Sequence, residues 1–260
     1  MKLAICQSEI KYLDFEYNLQ HAQKAIHEAA CNKADCIVFP EMSFTGFSMN
    51  TKITSRYSNA SLESMKSFAA ADNITIGFGW TEMQSDNVSY NHYSFISSNG
   101  DIILDYIKIH PFSYAGEDLY FKGGTSLPHS SMFNVDFQCA ICYDLRFPEI
   151  FRINPDKIQA VIIPANWPEK RLQHWKVLLQ ARAIENQVYI IGVNCTGVQD
   201  GLLYSGGSMA ISPDGSIICN CGDKPGLYYT DIDPLNVKNI RKNFPVLNDI
   251  RKELYNNLSV

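Results

Sequence analysis

Three residues able to do chemistry stand at the ends of apolar runs: Glu41 after "CIVFP", Lys108 after "IILDYI" and Cys142 after "QCAI". A structural cysteine wants apolar neighbours, whereas a thiol that must ionise wants polar ones. Cys142 is followed at once by Asp144, Arg146 and Glu149. Brought together, the carboxylate, the ammonium and the thiol would make a nucleophile with its own base and its own stabiliser for a developing oxyanion. Each also has an ordinary reading. Glu41 would serve as a cap or loop ion pair, Lys108 as a surface lysine, and Cys142 as a small buried hydrophobe beside an ion-pair cluster. The conjunction is what points to catalysis.

Other constellations are weaker. Cys139-Ala-Ile-Cys142 is a C-x-x-C, but it lies in an apolar run whose faces alternate, so its thiols are expected on opposite sides of a strand. Cys219-Asn-Cys221 faces one way without partners at zinc-ribbon spacing. His110 and His174 belong to no H-x-x-x-H pair, and neither G-x-S-x-G nor a glycine-rich phosphate loop occurs. No metal or cofactor is called for. A redox or zinc-binding module remains the alternative from another class, as does a catalytically silent binding module.

The elements that must position these residues read as alternating strands and helices. "KLAICQS", "DCIVFP" and "ITIGFGW" are strands, separated by helices over residues 16–31 and 62–71. "VSYNHYSFIS" and "IILDYIKI" form a hairpin about Asn99-Gly100, and a Gly/Ser/aromatic loop covers residues 111–131. "SMFNV", "QCAICY" and "QAVIIPA" are strands, the longest helix falls at 169–186, and "VYIIGVN", "GGSMAISP", "SIICNCG" and "LYYTDI" complete the strand set. Asp233-Pro234 opens a last helix as cap and first residue. With no linker or repeat, residues 1–260 are expected to form one α/β domain, two mixed sheets packed together with helices outside.

Composition narrows the partners. Across 260 residues, 46% are hydrophobic and 19% charged, the balance of an ordinary globular protein. A net charge of −5 argues against nucleic acid, which needs a clustered positive surface. No stretch approaches the ~20 apolar residues of a membrane span. The apolar run "LAIC" after Lys2 is too short for a signal peptide, so the eight cysteines are expected as thiols in a reducing cytoplasm.

"FPEMSFTGF", "YIKIHPF" and "CYDLRFPE" resemble, in order and spacing, the three signature segments of the nitrilase superfamily, the carbon–nitrogen hydrolases. The likeness extends through "PANWP", "HWKVLLQARAIENQVYIIGVN" and "GGSMAISPDGSII", and thus over nearly the whole chain. It implies a four-layer αββα sandwich and a Glu–Lys–Cys triad, with Glu41 as general base, Lys108 on the oxyanion side and Cys142 as nucleophile. Glu117, in "SYAGEDLYF", corresponds to a second glutamate that orients the lysine, and a homodimer is expected. "CYDLRFPE", "ANWPEKRLQHW" and "ARAIENQVYI" are most similar to the omega-amidases, which release ammonia from 2-oxoglutaramate or 2-oxosuccinamate; other small amides or nitriles are the alternative substrates.

On that resemblance the backbone N–H of Tyr143 joins Lys108 in facing the substrate oxygen. A 2-oxo acid also needs a cation for its carboxylate, and Arg146, Lys170, Arg171 and Arg182 are the candidates. Phe44, Phe47, Tyr114 and Trp167 flank the signature segments as possible walls, Trp167 foremost. Asp144 and Glu149 should point away from the thiol, with Arg146 held by one of them.

Overall fold

The apolar run at the start of the chain becomes β1 (Lys2–Gln7), buried along nearly its whole length because helices cover one face and a second sheet the other. Asp14 opens the helix Phe15–Cys31 by accepting the N–H of Tyr17 at 3.1 Å. That helix buries Phe15, Ala22, Ile26 and Ala29, the stripe its 3.6-residue period provides. β2 (Cys36–Val38) follows, then the helix Ser58–Asp72, stopped by Asn73 in the left-handed conformation (φ 49°), and β3 (Thr75–Met83). β4 (Ser89–Ile96) and β5 (Ile102–Ile107) form the expected hairpin. The computed structural model describes residues 1–84, 88–153 and 155–255.

The second half builds another sheet. Its strands are β6 (His129–Met132), β7 (Val135–Cys139), β8 (Ala160–Pro164), β9 (Tyr189–Val193), β12 (Met209–Ile211) and β13 (Ile217–Asn220), with a separate hairpin of β10 (Thr196–Gln199) and β11 (Leu202–Ser205) between β9 and β12. β14 (Gly226–Asp231) returns to pair antiparallel with β1. The sheets run β14-β1-β2-β3-β4-β5 and β13-β12-β9-β8-β7-β6. β1, β2 and β3 are mutually parallel, as are β7, β8 and β9, with antiparallel strands flanking each group.

This is the αββα sandwich. Phe15, Ile26, Met65 and Ala69 of the first two helices pack with Ile37, Phe39, Ile76 and Phe78 on the outer face of the first sheet. Its inner face meets the second sheet through Tyr93, Phe95 and Phe137; the rings of Phe95 and Phe137 lie 4.8 Å apart, edge to face. The helix Leu172–Asn186 closes the far side with Trp175, Leu179 and Ala183.

Three local readings are corrected. "SMFNV" is not one strand: Phe133 and Asn134 take positive φ (49° and 63°) and turn β6 into β7. "QCAICY" stops being strand at Cys139, and residues Cys142–Arg146 form a 3₁₀ turn. The hairpin β10–β11 was not anticipated, although Asp200-Gly201, both at positive φ (46° and 74°), is a strong two-residue hairpin turn.

Because Phe95 joins the two sheets, Phe95→Ala should destabilise the protein by about 3–5 kcal/mol. Urea unfolding would show this as a lowered midpoint at unchanged slope. A loss below about 1 kcal/mol would mean the sheets are held together elsewhere.

Candidate active site

β2 ends at Val38, and three residues later Glu41 enters a tight turn in which Met42 is left-handed (φ 44°). Ser43 Oγ fastens that turn, donating to Pro40 O at 2.6 Å and accepting from Gly79 N at 2.8 Å. Only glycine fits at 79: a Cβ there would stand 2.4 Å from Met42 N. Lys108 follows β5 directly, its N–H bonded to Asn91 O on β4 at 2.9 Å. Each of these charges sits just past a strand end and is fixed by hydrogen bonds to the neighbouring strand.

Cys142 is held differently. Its φ of +47° is rare for a residue with a Cβ, and such a conformation costs on the order of 1–3 kcal/mol. The buried carboxylate of Asp144 enforces it, accepting from Ile141 N–H (2.9 Å), His110 N–H (2.9 Å) and Tyr106 OH (2.8 Å). His110 Nδ1 also lies 2.8 Å from Asp144. Asp144 therefore points away from the thiol and ties its turn to the end of β5.

The structure brings Glu41, Lys108, Cys142 and Glu117 into one buried cluster. Lys108 Nζ lies 2.8 Å from Glu41 Oε1 and 2.8 Å from Glu117 Oε2. Asn91 Nδ2 donates to both carboxylates, at 2.8 Å and 3.1 Å. Glu117 also accepts the N–H of Phe112, and Glu41 Oε2 accepts the N–H of Asn166 at 3.0 Å. The thiol of Cys142 lies 3.8 Å from Asn166 O, and the charges of Glu41 and Lys108 both act on it.

The electrostatics follow from burial and charge. Burial pushes the Cys142 thiol well above its ordinary value and the Glu41 charge adds to this, outweighing the pull of Lys108. Burial alone would lower Lys108, but the charges of Glu117 and Glu41 outweigh it and hold the ammonium above its usual range. Burial raises the carboxyl of Glu117 against the opposing effect of Lys108. With a neutral thiol, the two carboxylates and one ammonium sum to one negative charge, and ionising Cys142 in place would make two. Passing its proton to Glu41 keeps the sum unchanged. Such an arrangement can deliver a thiolate to an electrophile without accumulating buried charge.

Cys142 opens into a cleft whose wall includes Tyr143, Trp167, Phe47 and Phe112. Arg146 and Arg171 also line it, and neither has an ion-pair partner among the described residues. Burial and the neighbouring charge of Arg171 lower the Arg146 guanidinium from its usual value.

Four expectations are corrected here. Phe44 does not wall the cleft: beyond the left-handed Met42 its ring packs between Phe15 and Phe78 beneath the outer helix. Tyr114 is 84% exposed on its short 3₁₀ turn, and the flanking Phe112 and Ala115 line the cleft instead. Arg146 is held by neither Asp144 nor Glu149; it lies over the Trp167 ring at 4.8 Å, with Nη2 3.4 Å from His174 Nδ1. Lys170 is exposed and Arg182 is structural, bonded to Leu145 O and Glu185.

Several residues of the cluster escaped the sequence reading. Asn91 sits mid-strand, where an asparagine has no visible partner. Asn166 lies inside "PANWP", and Gln199 and Cys195 belong to the unanticipated hairpin region. Cys139, by contrast, is enclosed in the core between the sheets, and burial pushes its thiol well up.

The family model for carbon–nitrogen hydrolases matches residues 2–242. The chain belongs to the carbon–nitrogen hydrolase family. It is 32% identical to the 2-oxoglutaramate amidase of Bacillus subtilis strain 168, over 97% of this chain and 98% of that one. It is also 32% identical to the omega-amidase YafV of Escherichia coli strain K12, over 84% of each. Its fold is that of XC1258 from Xanthomonas campestris, a CN-hydrolase superfamily protein, with a TM-score of 0.89 at 24% identity and 97% of each chain covered.

The raised Cys142 thiol carries a sign that alkylation can read. The rate of Cys142 modification by iodoacetamide, followed by peptide mapping, should show no sigmoidal rise centred on the ~8.5 of a free thiol. A rise at that pH would mean that the thiol titrates independently of Glu41.

Proposed function

We propose that this carbon–nitrogen hydrolase cleaves the terminal amide of a small 2-oxo acid, of the 2-oxoglutaramate or 2-oxosuccinamate type, to the acid and ammonia through a thioester on Cys142. The observation that carries this reading is the buried Glu41–Lys108–Cys142 cluster opening into a cleft that Arg146 and Arg171 make positive. Two cations without a carboxylate partner among the described residues favour an anionic substrate, and the names of the two bacterial relatives favour a 2-oxo acid amide.

An amide is a poor electrophile and ammonia a poor leaving group. As Cys142 Sγ attacks the carbonyl carbon, its proton passes to Glu41, and the carbonyl electrons move onto an oxygen facing Lys108 Nζ and the N–H of Tyr143. Glu41 then gives the proton to the nitrogen, the C–N bond breaks and ammonia leaves. In the second half Glu41 takes a proton from water as it attacks the thioester. Collapse of that intermediate expels the sulfur, which recovers its proton. Glu117 orients Lys108, and losing one oxyanion donor typically costs ~10²–10³ in rate. Trp167 and Tyr143 shape the wall for a short acyl chain, and Arg146 and Arg171 receive the carboxylate.

The assembly and location belong to the same reading. Residues 1–260 act as one domain. Val177 and Ile184, seven residues apart on the helix Leu172–Asn186, leave an apolar stripe exposed that suits pairing of two copies. Eight free thiols suit a cytoplasmic protein. No helix among the described residues is long and apolar enough to cross a membrane.

Purified protein should release ammonia from 2-oxoglutaramate in preference to the matching nitrile. Cys142→Ala should abolish this, while Cys139→Ala keeps most of it. Equal loss from both substitutions would favour the C-x-x-C redox reading, and no turnover on any small amide would favour a silent binding module.

A further inference from the structure

Gln199 ends β10 immediately before the Asp200-Gly201 turn, yet it is only 1% exposed. Its side chain reaches into the space behind the site. Nε2 donates to Asn166 Oδ1 at 3.0 Å and to Cys195 Sγ at 3.3 Å, while Oε1 accepts the N–H of Phe47 at 2.9 Å. Gly46 makes room for it: a Cβ there would come within 2.6 Å of Oε1, and its φ of +73° suits glycine.

Two of these partners, Asn166 and Phe47, lead to the site. Asn166 donates its backbone N–H to Glu41 Oε2 (3.0 Å) and its side-chain Nδ2 to Glu41 O (2.6 Å), and its own carbonyl lies 3.8 Å from Cys142 Sγ. Phe47 lines the cleft and lies 5.4 Å from Lys108 Nζ. A primary amide has one accepting end and one donating end. The donor from Gln199 fixes which end of Asn166 faces Glu41. Rotating the Asn166 amide would set its NH₂ against the NH₂ of Gln199 and its oxygen against the carbonyl of Glu41. Cys195 Sγ supports the same orientation from 3.0 Å, but a thiol is a weak donor.

We propose that Gln199 is a positioning residue that locks the Asn166 amide and the Phe47 backbone, so that Glu41 Oε2 is held toward the Cys142 thiol. The hairpin that carries Gln199 also supplies Leu202 and Tyr204 to the cleft, so one element shapes the substrate space and aims the base. The inference rests on the reading of Glu41 as the general base.

Gln199→Met keeps length and removes both polar ends. Gln199→Glu keeps the acceptor for Phe47 but opposes Asn166 Oδ1 with a second acceptor. Each should lower kcat on 2-oxoglutaramate about 10–100-fold, the scale of a small misplacement of a reacting group, while KM moves less than about threefold. The rate of Cys142 alkylation by iodoacetamide should fall in proportion. In a Glu41→Gln background, Gln199→Met should lower that rate no further, because the group it aims is gone. Wild-type kcat in both variants would overturn the inference, as would an equal further fall in the Glu41→Gln background accompanied by a lowered Tm. Should Gln199→Met not fold, Gln199→Glu carries the comparison. Absence of amide turnover by the wild type would sink the amidase reading instead, whereas the alkylation cycle still decides the role of Gln199.

Discussion

Lys108 carries a full charge into the interior, and Glu41 and Glu117 meet it there at 2.8 Å each. Taking these charges out of water is expensive, and removing one partner of such a pair leaves a buried charge whose cost is about 3–5 kcal/mol. The surroundings are therefore arranged to satisfy all three. Asn91 bridges the carboxylates, Phe112 and Asn166 lend backbone N–H groups, and Phe47 lies beside the ammonium. The surplus negative charge is the feature on which the chemistry depends. It keeps the Cys142 proton in place at rest, and in the proposed mechanism Glu41 receives that proton when sulfur attacks.

Such a cluster needs a frame that does not relax. Parallel strands end together at one rim of each sheet, so β2 and β7 deliver Glu41 and Cys142 from opposite sheets while β5 delivers Lys108. The two sheets are locked by the rings of Tyr93, Phe95 and Phe137. Local strain is placed at two turns of the site, Met42 after Glu41 and Cys142 itself, and each is overdetermined. Ser43 and Gly79 hold the first, and Asp144 with Tyr106 and His110 holds the second. Asp144 thus explains why a thiol can be followed closely by a carboxylate: the charge is turned backwards and used as a hook.

Much of this was legible in the chain, and the rest was hidden for identifiable reasons. Period-two and period-3.6 patterns exposed most strands and helices, and residues set just past apolar runs exposed Glu41, Lys108 and Cys142. Side-chain direction within turns was not legible, because alternation ends where the strand ends. Phe44 accordingly went to the outer core, and Tyr114 to solvent. Arg146 was paired by sequence proximity, whereas a guanidinium at a cleft wall finds an aromatic ring across space. Asn91, Asn166 and Gln199 were invisible because an amide gains a role only from the partners that folding brings to it. The Asp200-Gly201 turn, by contrast, was a readable signal, and it carries the residue that holds Asn166.

In the proposed mechanism Cys142 becomes acylated as its proton moves to Glu41 inside this cluster. Acid quenching during turnover of 2-oxoglutaramate, followed by intact-mass and peptide mapping, tests it most directly. An added acyl group is expected on the peptide bearing Cys142, absent from Cys142→Ala. An adduct on another cysteine, or turnover with none trapped at any time point, would contradict it.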